Sequence, residues 1–283
     1  MSFGFVARTF WASMISSLKM VVRYISIGGM VAFQLAVPIF FVFTSWVIST
    51  FMPTTGATQF FPSKTGGTTD YMSYLSIGFA STGFIFSAAF GGSYAIRGEQ
   101  QEGTAELVFL TPANKIAWLL GKMMGQLIFG LMSFSIILSC GLLLFGFQPT
   151  VQPNVPAAII SILLTMLAMT SFGFVYAGTC FLAKKEEELT QVLWPLLTFF
   201  SGLAFPVDVL PEWGRMISFF IPLTWGIDAT RRSLLLGAGV SDPSMITALC
   251  VLSLLTVALL PIGALLFSKL EKAARRKGTL GTY

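Results

Sequence analysis

The sequence contains no histidine and few charged residues, and both absences restrict what the protein can do. Charged residues make up 10% of the 283 residues, against about 25% in soluble domains. Without histidine, the chain lacks the commonest general base and the commonest metal ligand, so we expect no metal site. Hydrophobic residues make up 55% of the chain, and the mean hydropathy is +0.81. This composition predicts an all-α polytopic membrane protein with no room for a separate soluble enzymatic domain.

Two further absences narrow the function. The three cysteines, Cys140, Cys180 and Cys250, all lie in apolar runs, which predicts small buried residues rather than a set of disulfides. No glycine-rich phosphate loop ending in Lys-Ser or Lys-Thr occurs in the chain, so any ATP that drives the protein must be hydrolysed by another polypeptide. The chain is therefore predicted not to be an enzyme and to carry no cofactor of its own.

The apolar runs predict a single transmembrane domain, residues 1–283, with six spans. A span needs about 20 mostly apolar residues, and the predicted spans are 28–52, 71–95, 116–147, 157–182, 189–206 and 245–270. Between the last two spans, residues 216–225 are apolar but too few to cross about 30 Å as a helix. Segment 207–237 is therefore predicted to form short re-entrant outer helices.

The distribution of basic residues predicts the orientation. Six crossings place 13 of the 17 basic residues on one side of the membrane, which the positive-inside rule assigns to the cytosol. These residues are Arg8, Lys19, Arg23, Arg97, Lys115, Lys122, Lys184, Lys185, Lys269, Lys272, Arg275, Arg276 and Lys277. A seventh crossing would put the basic C-terminal tail outside. Both termini are therefore predicted to be cytosolic, in a multi-pass protein of the plasma membrane.

Residues 1–26 are predicted to form an amphipathic interfacial helix. At 100° per residue, Arg8, Lys19 and Arg23 cluster on one face, and apolar residues that include Phe10 and Met14 lie opposite. A basic stripe facing an apolar stripe is typical of a helix in the membrane interface. The alternative is an N-terminal extension of the first span.

Small residues indicate close contacts between spans. Gly83, Ser87 and Gly91 repeat every four positions, and Gly121 and Gly125 form a second motif of this kind. Lys122, near the predicted cytosolic end of its span, is expected to extend to the headgroups.

The most polar stretch in the middle of the chain is residues 96–115, which we predict to be a cytosolic coupling loop. It carries three glutamates, is expected to bend at a glycine and to resume as a short amphipathic helix, and closes with Thr111 and Pro112. Thr111 is expected to cap the third span, with Pro112 as its first helical residue. The loop is interpreted as a surface that engages a cytosolic partner; an ordinary solvated face is the alternative.

Two motifs carry a resemblance to a known family. Residues 102–107 read EGTAEL and are followed by Thr111 and Pro112, while residues 200–206 read FSGLAFP and lead through Leu210 and Pro211 to IPLT at 221–224. In this order, the motifs resemble those of the permease subunits of type-2 ABC exporters, which have the type V exporter fold. The resemblance covers nearly the whole chain. The run from Glu106 to Phe109 is more apolar than a purely polar coupling helix.

The resemblance implies partners and sites. It implies a transporter of two permeases, identical or paralogous, and two copies of a separate ABC ATPase that bind ATP and Mg²⁺, all in membrane lipid and with no nucleic acid. The implied ATPase-coupling residues are Glu99, Glu102, Gly103, Thr104, Glu106, Leu107, Thr111 and Pro112. The candidate translocation-path residues, from spans two and five, are Phe84, Phe86, Phe199 and Phe200. The candidate outer-gate residues are Pro206, Asp208, Asp228 and Arg231, with Asp228 and Arg231 paired at i,i+3.

Other functions stay open at this stage. A secondary carrier driven by an ion gradient is disfavoured by the scarcity of charges within the spans. A non-transporting scaffold that recruits an ATPase is a third possibility, and an importer permease is a weaker one because 99–112 lacks the expected Glu-Ala-Ala pattern. Aromatic walls suit lipidic, drug-like or glycan cargo equally well.

Overall fold

The protein is helical throughout the parts described by its structure, a computed structural model that covers residues 3–24, 27–51, 71–144, 153–179 and 186–277. The elements are α1 (Phe3–Tyr24), α2 (Ile27–Phe51), α3 (Tyr71–Ala80), α4 (Thr82–Phe84), a π-helix (Ile85–Ala89), α5 (Gly91–Gln101), α6 (Ala105–Leu110), α7 (Lys115–Leu144), α8 (Val155–Thr179), α9 (Glu186–Phe200), a 3₁₀ turn (Val207–Val209), α10 (Glu212–Phe220), α11 (Pro222–Leu235) and α12 (Pro243–Lys277). The predicted all-α class is confirmed.

Among the described helices, four segments are long and apolar enough to cross a membrane. They are Tyr71–Ala89, Lys115–Leu144, Val155–Thr179 and Pro243–Ala274. A shorter apolar stretch, Leu35–Thr50, lies in α2. The 15 residues of α9 extend about 22 Å at 1.5 Å per residue, less than the hydrocarbon thickness of about 30 Å. Several apolar helices are therefore present, and six crossings remain a prediction.

Two helices end at other residues than the predicted spans, whose boundaries in the membrane stay predictions. The second span was predicted to end at 95, but α5 continues to Gln101 because residues 97–101 are mostly good helix formers. Most of the predicted loop 96–115 is consequently helical. The fifth span was predicted to reach 206, but α9 ends at Phe200 because Gly202 adopts a positive φ of 72° and reverses the chain. Segment 207–237 forms a 3₁₀ turn and two short helices, α10 and α11.

The long helices pack into one bundle, and the two largest buried clusters of the described residues lie within it. α8 lies along α12 and also contacts α11, while α1 lies along α7. The larger cluster includes Phe84, Phe90, Met169, Leu223 and Ile227. The second cluster joins α6 to α7, α8 and α12 through Phe109, Trp118, Phe174 and Phe267. The short α6 is thereby attached to the core of three long helices. Cys140 is partly buried, but Cys250 is exposed, contrary to prediction, because it lies on an outer face of α12.

Candidate functional site

The short helix α6 has one anchored face and one exposed face. On the inner face, Ala105 and Phe109 are each 1% exposed, and the Phe109 ring lies 5.6 Å from the Trp118 ring of α7. On the outer face, Leu107 and Leu110 are each 68% exposed, beside exposed Glu106. Large apolar side chains presented by a fixed polar turn are typical of a protein-docking surface.

The turn between α5 and α6 is formed by Gly103 and Thr104. Gly103 has a φ of 70°, a conformation that a Cβ disfavours. The Gly103 N–H donates to the Gln100 carbonyl at 3.0 Å, and the Thr104 N–H donates to the Glu99 carbonyl at 2.9 Å. This is a Schellman arrangement with Gly103 in the left-handed position. The Thr104 hydroxyl also donates to the Glu99 carboxylate. Backbone and side-chain hydrogen bonds therefore both fix the angle between α5 and α6.

A buried ion pair lies directly behind this turn. The Lys122 ammonium of α7 lies 2.9 Å from the Glu99 carboxylate of α5, and the two side chains are 2% and 10% exposed. Lys122 also donates to the Ser16 hydroxyl at 3.3 Å, and the Ser17 hydroxyl donates to the Lys122 carbonyl at 3.1 Å. Three helices, α1, α5 and α7, therefore meet at Lys122.

This pair corrects two predictions. Lys122 was expected to extend to the headgroups, but a carboxylate is available inside the fold and the side chain turns to it. Glu99 was placed on the surface of the coupling loop, but its side chain points towards α7 and is buried. Of the other predicted coupling residues, Glu102, Gly103, Glu106, Leu107, Thr111 and Pro112 are exposed.

The glycine motif of α7 packs against α1. A Cβ on Gly121 would lie 2.3 Å from the Phe10 carbonyl oxygen, and one on Gly125 would lie 2.7 Å from the Ser17 Cβ. The predicted close packing is confirmed, with the N-terminal helix as the neighbour. Arg8 and Lys19 are exposed on α1, and the side chain of Arg23 lies outside the described residues. The position of α1 in a membrane interface remains a prediction.

The predicted cap of the third span is wrong. α7 begins at Lys115, and Asn114 caps it, because the Asn114 side-chain oxygen accepts the N–H groups of Ile116 at 3.0 Å and Ala117 at 3.1 Å. Asn is a stronger N-cap than Thr. Thr111 instead terminates α6 with extended backbone, and the Lys115 ammonium donates to the Thr111 carbonyl at 2.7 Å. A lysine there also complements the C-terminal end of α6.

The four candidate phenylalanines divide into two pairs. Phe84 is 1% exposed and Phe200 is 7% exposed, and Phe84 stacks on Phe134 at 5.2 Å. These two belong to the core, so their assignment to a passage wall is wrong. Phe86 and Phe199 are 41% and 50% exposed, and their role stays a prediction. Trp194, which the sequence did not single out, lies 5.8 Å from Phe86.

The four predicted outer-gate residues lie around one cavity of about 340 Å³. Pro206 and Asp208 come from the segment after α9, and Asp228 and Arg231 come from α11. The structure therefore brings together residues that are distant in the sequence. Within the described residues, no three His, Cys, Asp or Glu side chains are grouped so that they could hold a metal ion.

Arg231 links α11 to α3 and to the turn after α9 on one wall of this cavity. Its guanidinium donates to the Tyr74 carbonyl at 3.0 and 3.2 Å, to the Gly202 carbonyl at 2.8 Å and to the Leu203 carbonyl at 2.6 Å. The guanidinium carbon also lies 3.4 Å from the centre of the Tyr74 ring, a cation–π contact. Burial lowers the pKa of Arg231, and the nearby Tyr74 and Asp228 oppose that shift.

The predicted pair between Asp228 and Arg231 is wrong. Asp228 instead accepts a hydrogen bond from Arg232 at 2.7 Å, an i,i+4 pair that is partly exposed. The reason is the rotation of α11: packing against α3 and the turn after α9 buries Arg231, which leaves Arg232 beside Asp228.

These features define a class: a helical membrane protein in whose sequence no nucleotide-binding loop occurs, with a short helix that is anchored on one face and exposed on the other. Residues 54–235 match the family model described as ABC-2 type transporter. The chain belongs to this family and is a transmembrane permease subunit of an ABC transporter. Comparison with curated proteins gives no match.

Proposed function

We propose that this chain is the transmembrane subunit of an ATP-driven exporter, with two permeases and two copies of a separate ATPase. The observation that carries the proposal is α6, whose outer face offers Leu107 and Leu110 while its inner face is fixed to the bundle. The family model is that of the membrane component. An ABC ATPase is the usual partner of such a component, and ATP and Mg²⁺ would bind there.

The contacts between α6 and the helices that it packs against would transmit a force applied to α6. A push on Leu107 would reach α7 through Phe109 and Trp118, because these side chains are packed against one another. It would reach α1 through Glu99 and Lys122, because the Lys122 ammonium also donates to the Ser16 hydroxyl of α1. Closely packed interiors transmit displacement rather than absorb it. We infer that docking at α6 moves α7 and α1 together.

The proposal also includes topology. α2 and α9 would supply the two remaining crossings, both termini would be cytosolic, and α1 would lie in the inner membrane interface with Arg8 and Lys19 towards the headgroups. Phe86 and Phe199 would face the second permease across the translocation path. The cavity around Asp208 and Arg231 would then open on the outer side.

Two other functions make different predictions. A secondary carrier needs titratable groups within its spans; the four described candidate spans hold a single carboxylate, Glu271, near the end of α12. This favours a separate energy source. A scaffold would bind the ATPase but would not raise its hydrolysis when cargo is present.

The test is affinity purification of the full chain in mild detergent, with the soluble partner identified by mass spectrometry. We expect an ABC ATPase, and we expect Leu107→Glu to abolish its recovery because the change places a charge in an apolar contact. Val209→Glu is the matched control: Val209 is also apolar and 65% exposed, but it lies in the 3₁₀ turn after α9. Equal recovery with both variants would remove α6 as the docking site, and transport by the purified chain without ATP would refute the function.

A further inference from the structure

A second cavity, of about 440 Å³, lies between α2, the π-helix, α7 and α9, separate from the outer cavity and from the α6 turn. Its walls include Phe41, Phe86, Gln126, Ile137 and Trp194, and no charged residue lines it. Its volume is in the range of small-molecule sites, about 300–1,000 Å³. An uncharged lining within a membrane bundle excludes ionic recognition, so any ligand must be held by apolar contact and by dipoles.

The cavity is elongated along α7. Gln126 and Ile137 both line it, and at 1.5 Å per residue they are separated by about 16 Å along the helix axis. An extended apolar body therefore fits the cavity better than a compact one.

Gln126 is the polar group that distinguishes this cavity from a lipid-filled gap. It is half-buried, and its side-chain amide makes no hydrogen bond within the described residues. The nearby Ser87 hydroxyl is already satisfied by the Gly83 carbonyl at 2.6 Å. An amide without a partner in apolar surroundings costs free energy, and a ligand carbonyl or hydroxyl could pair with it.

Both helical walls on either side of Phe86 depart from regular α-helix. Within the π-helix the Phe90 N–H donates to the Ile85 carbonyl at 3.0 Å, an i→i+5 bond, and such turns are frequent at functional sites. Pro38 of α2, on the opposite wall, interrupts the hydrogen-bond ladder of its helix. Val37 of α2 is 36% exposed at the rim, where a molecule in the hydrocarbon phase could enter.

We infer that this cavity binds one uncharged amphiphile taken from the membrane. Its extended apolar body lies between α2 and α7, and its hydroxyl, ester or amide group pairs with Gln126. Only the identification of the amphiphile as cargo rests on the proposed function. Binding itself requires no ATPase.

The experiment uses the full chain in lipid nanodiscs and a monoacylglycerol with a photoreactive diazirine in its acyl chain. We expect cross-links on α7 between residues 126 and 137 and on the π-helix. Unlabelled monoacylglycerol should compete, whereas an alkyl phosphate of the same chain length should not. A diazirine-bearing alkane serves as the probe without a polar group.

Variants separate recognition of the polar group from filling of the cavity. Gln126→Leu should lower cross-linking of the glyceride about five-fold, the effect of one buried hydrogen bond, and leave that of the alkane unchanged. Gln191→Leu is the matched control, since Gln191 is exposed on α9 and does not line the cavity. Val37→Trp, at the partly exposed rim, should lower cross-linking of both probes.

Several results would overturn the inference: cross-links spread evenly over lipid-facing helices, competition by the alkyl phosphate, equal loss of both probes in Gln126→Leu, or no effect of Val37→Trp. Because the readout is binding by the permease alone, a failure of ATP coupling would refute the proposed function and leave this result intact.

Discussion

Removal of either partner from the ion pair between Glu99 and Lys122 should destabilise the protein strongly. Lys122 is 2% exposed and lies 2.9 Å from the Glu99 carboxylate. Glu99→Gln leaves the ammonium buried without a counter-charge, and removal of one partner from a buried pair costs about 3–5 kcal/mol. Lys122→Met leaves the Glu99 carboxylate without its counter-charge, with only the Thr104 hydroxyl still donating to it, and should also be costly. In the double variant neither charge is stranded, so its loss should be at least about 2 kcal/mol smaller than the sum of the single losses.

The assay is equilibrium unfolding of the full chain in mixed micelles by increasing dodecyl sulfate, followed by tryptophan fluorescence. Glu106→Gln is the matched control, because Glu106 is exposed on α6; it should change the free energy of unfolding by less than about 0.5 kcal/mol. If the two single losses add in the double variant, or if Glu99→Gln resembles Glu106→Gln, the charges do not interact and the buried pair is not formed.

Two further substitutions test the packing around the sites. Arg231→Met should destabilise the protein by about 2–6 kcal/mol, because it leaves the buried carbonyls of Gly202 and Leu203 without a donor and each such acceptor costs about 1–3 kcal/mol. Arg231→Lys should recover only part of this loss, since a lysine lacks the planar fork. Thermal unfolding of Arg231→Met that matches the parent would refute this role. Gly121→Ala should separate α1 from α7, because its Cβ would lie 2.3 Å from a backbone carbonyl oxygen. Limited proteolysis of α1 should accelerate, while Gly98→Ala, whose Cβ would meet only Met20 at 3.8 Å, should behave like the parent.

The structure of the predicted coupling segment, residues 96–115, could be predicted from the sequence only in part. The run 102–107 and the following Thr-Pro pair predicted a polar engagement surface, and the bend at Gly103 is where the structure turns. The reasoning failed at the cap of α7, because Thr111 and Asn114 are both acceptable caps and only the path of the chain selects between them. It also failed for Glu99, since a glutamate in a polar run has no local sign of burial; its partner is 23 positions away on another helix.

Composition and local pattern were enough to predict a helical membrane protein of this family and to locate the turn that we propose as the docking site. Hydropathy, the positions of Gly and Pro, and short motifs are properties of contiguous residues, so they can be read from the chain before it folds. The pairing of charges and the burial of individual aromatic rings depended on how the helices rotate against one another. Arg231 and Arg232 illustrate the difference: both are within reach of Asp228 along a helix, and the packing of α11 against α3 left Arg232 as the partner.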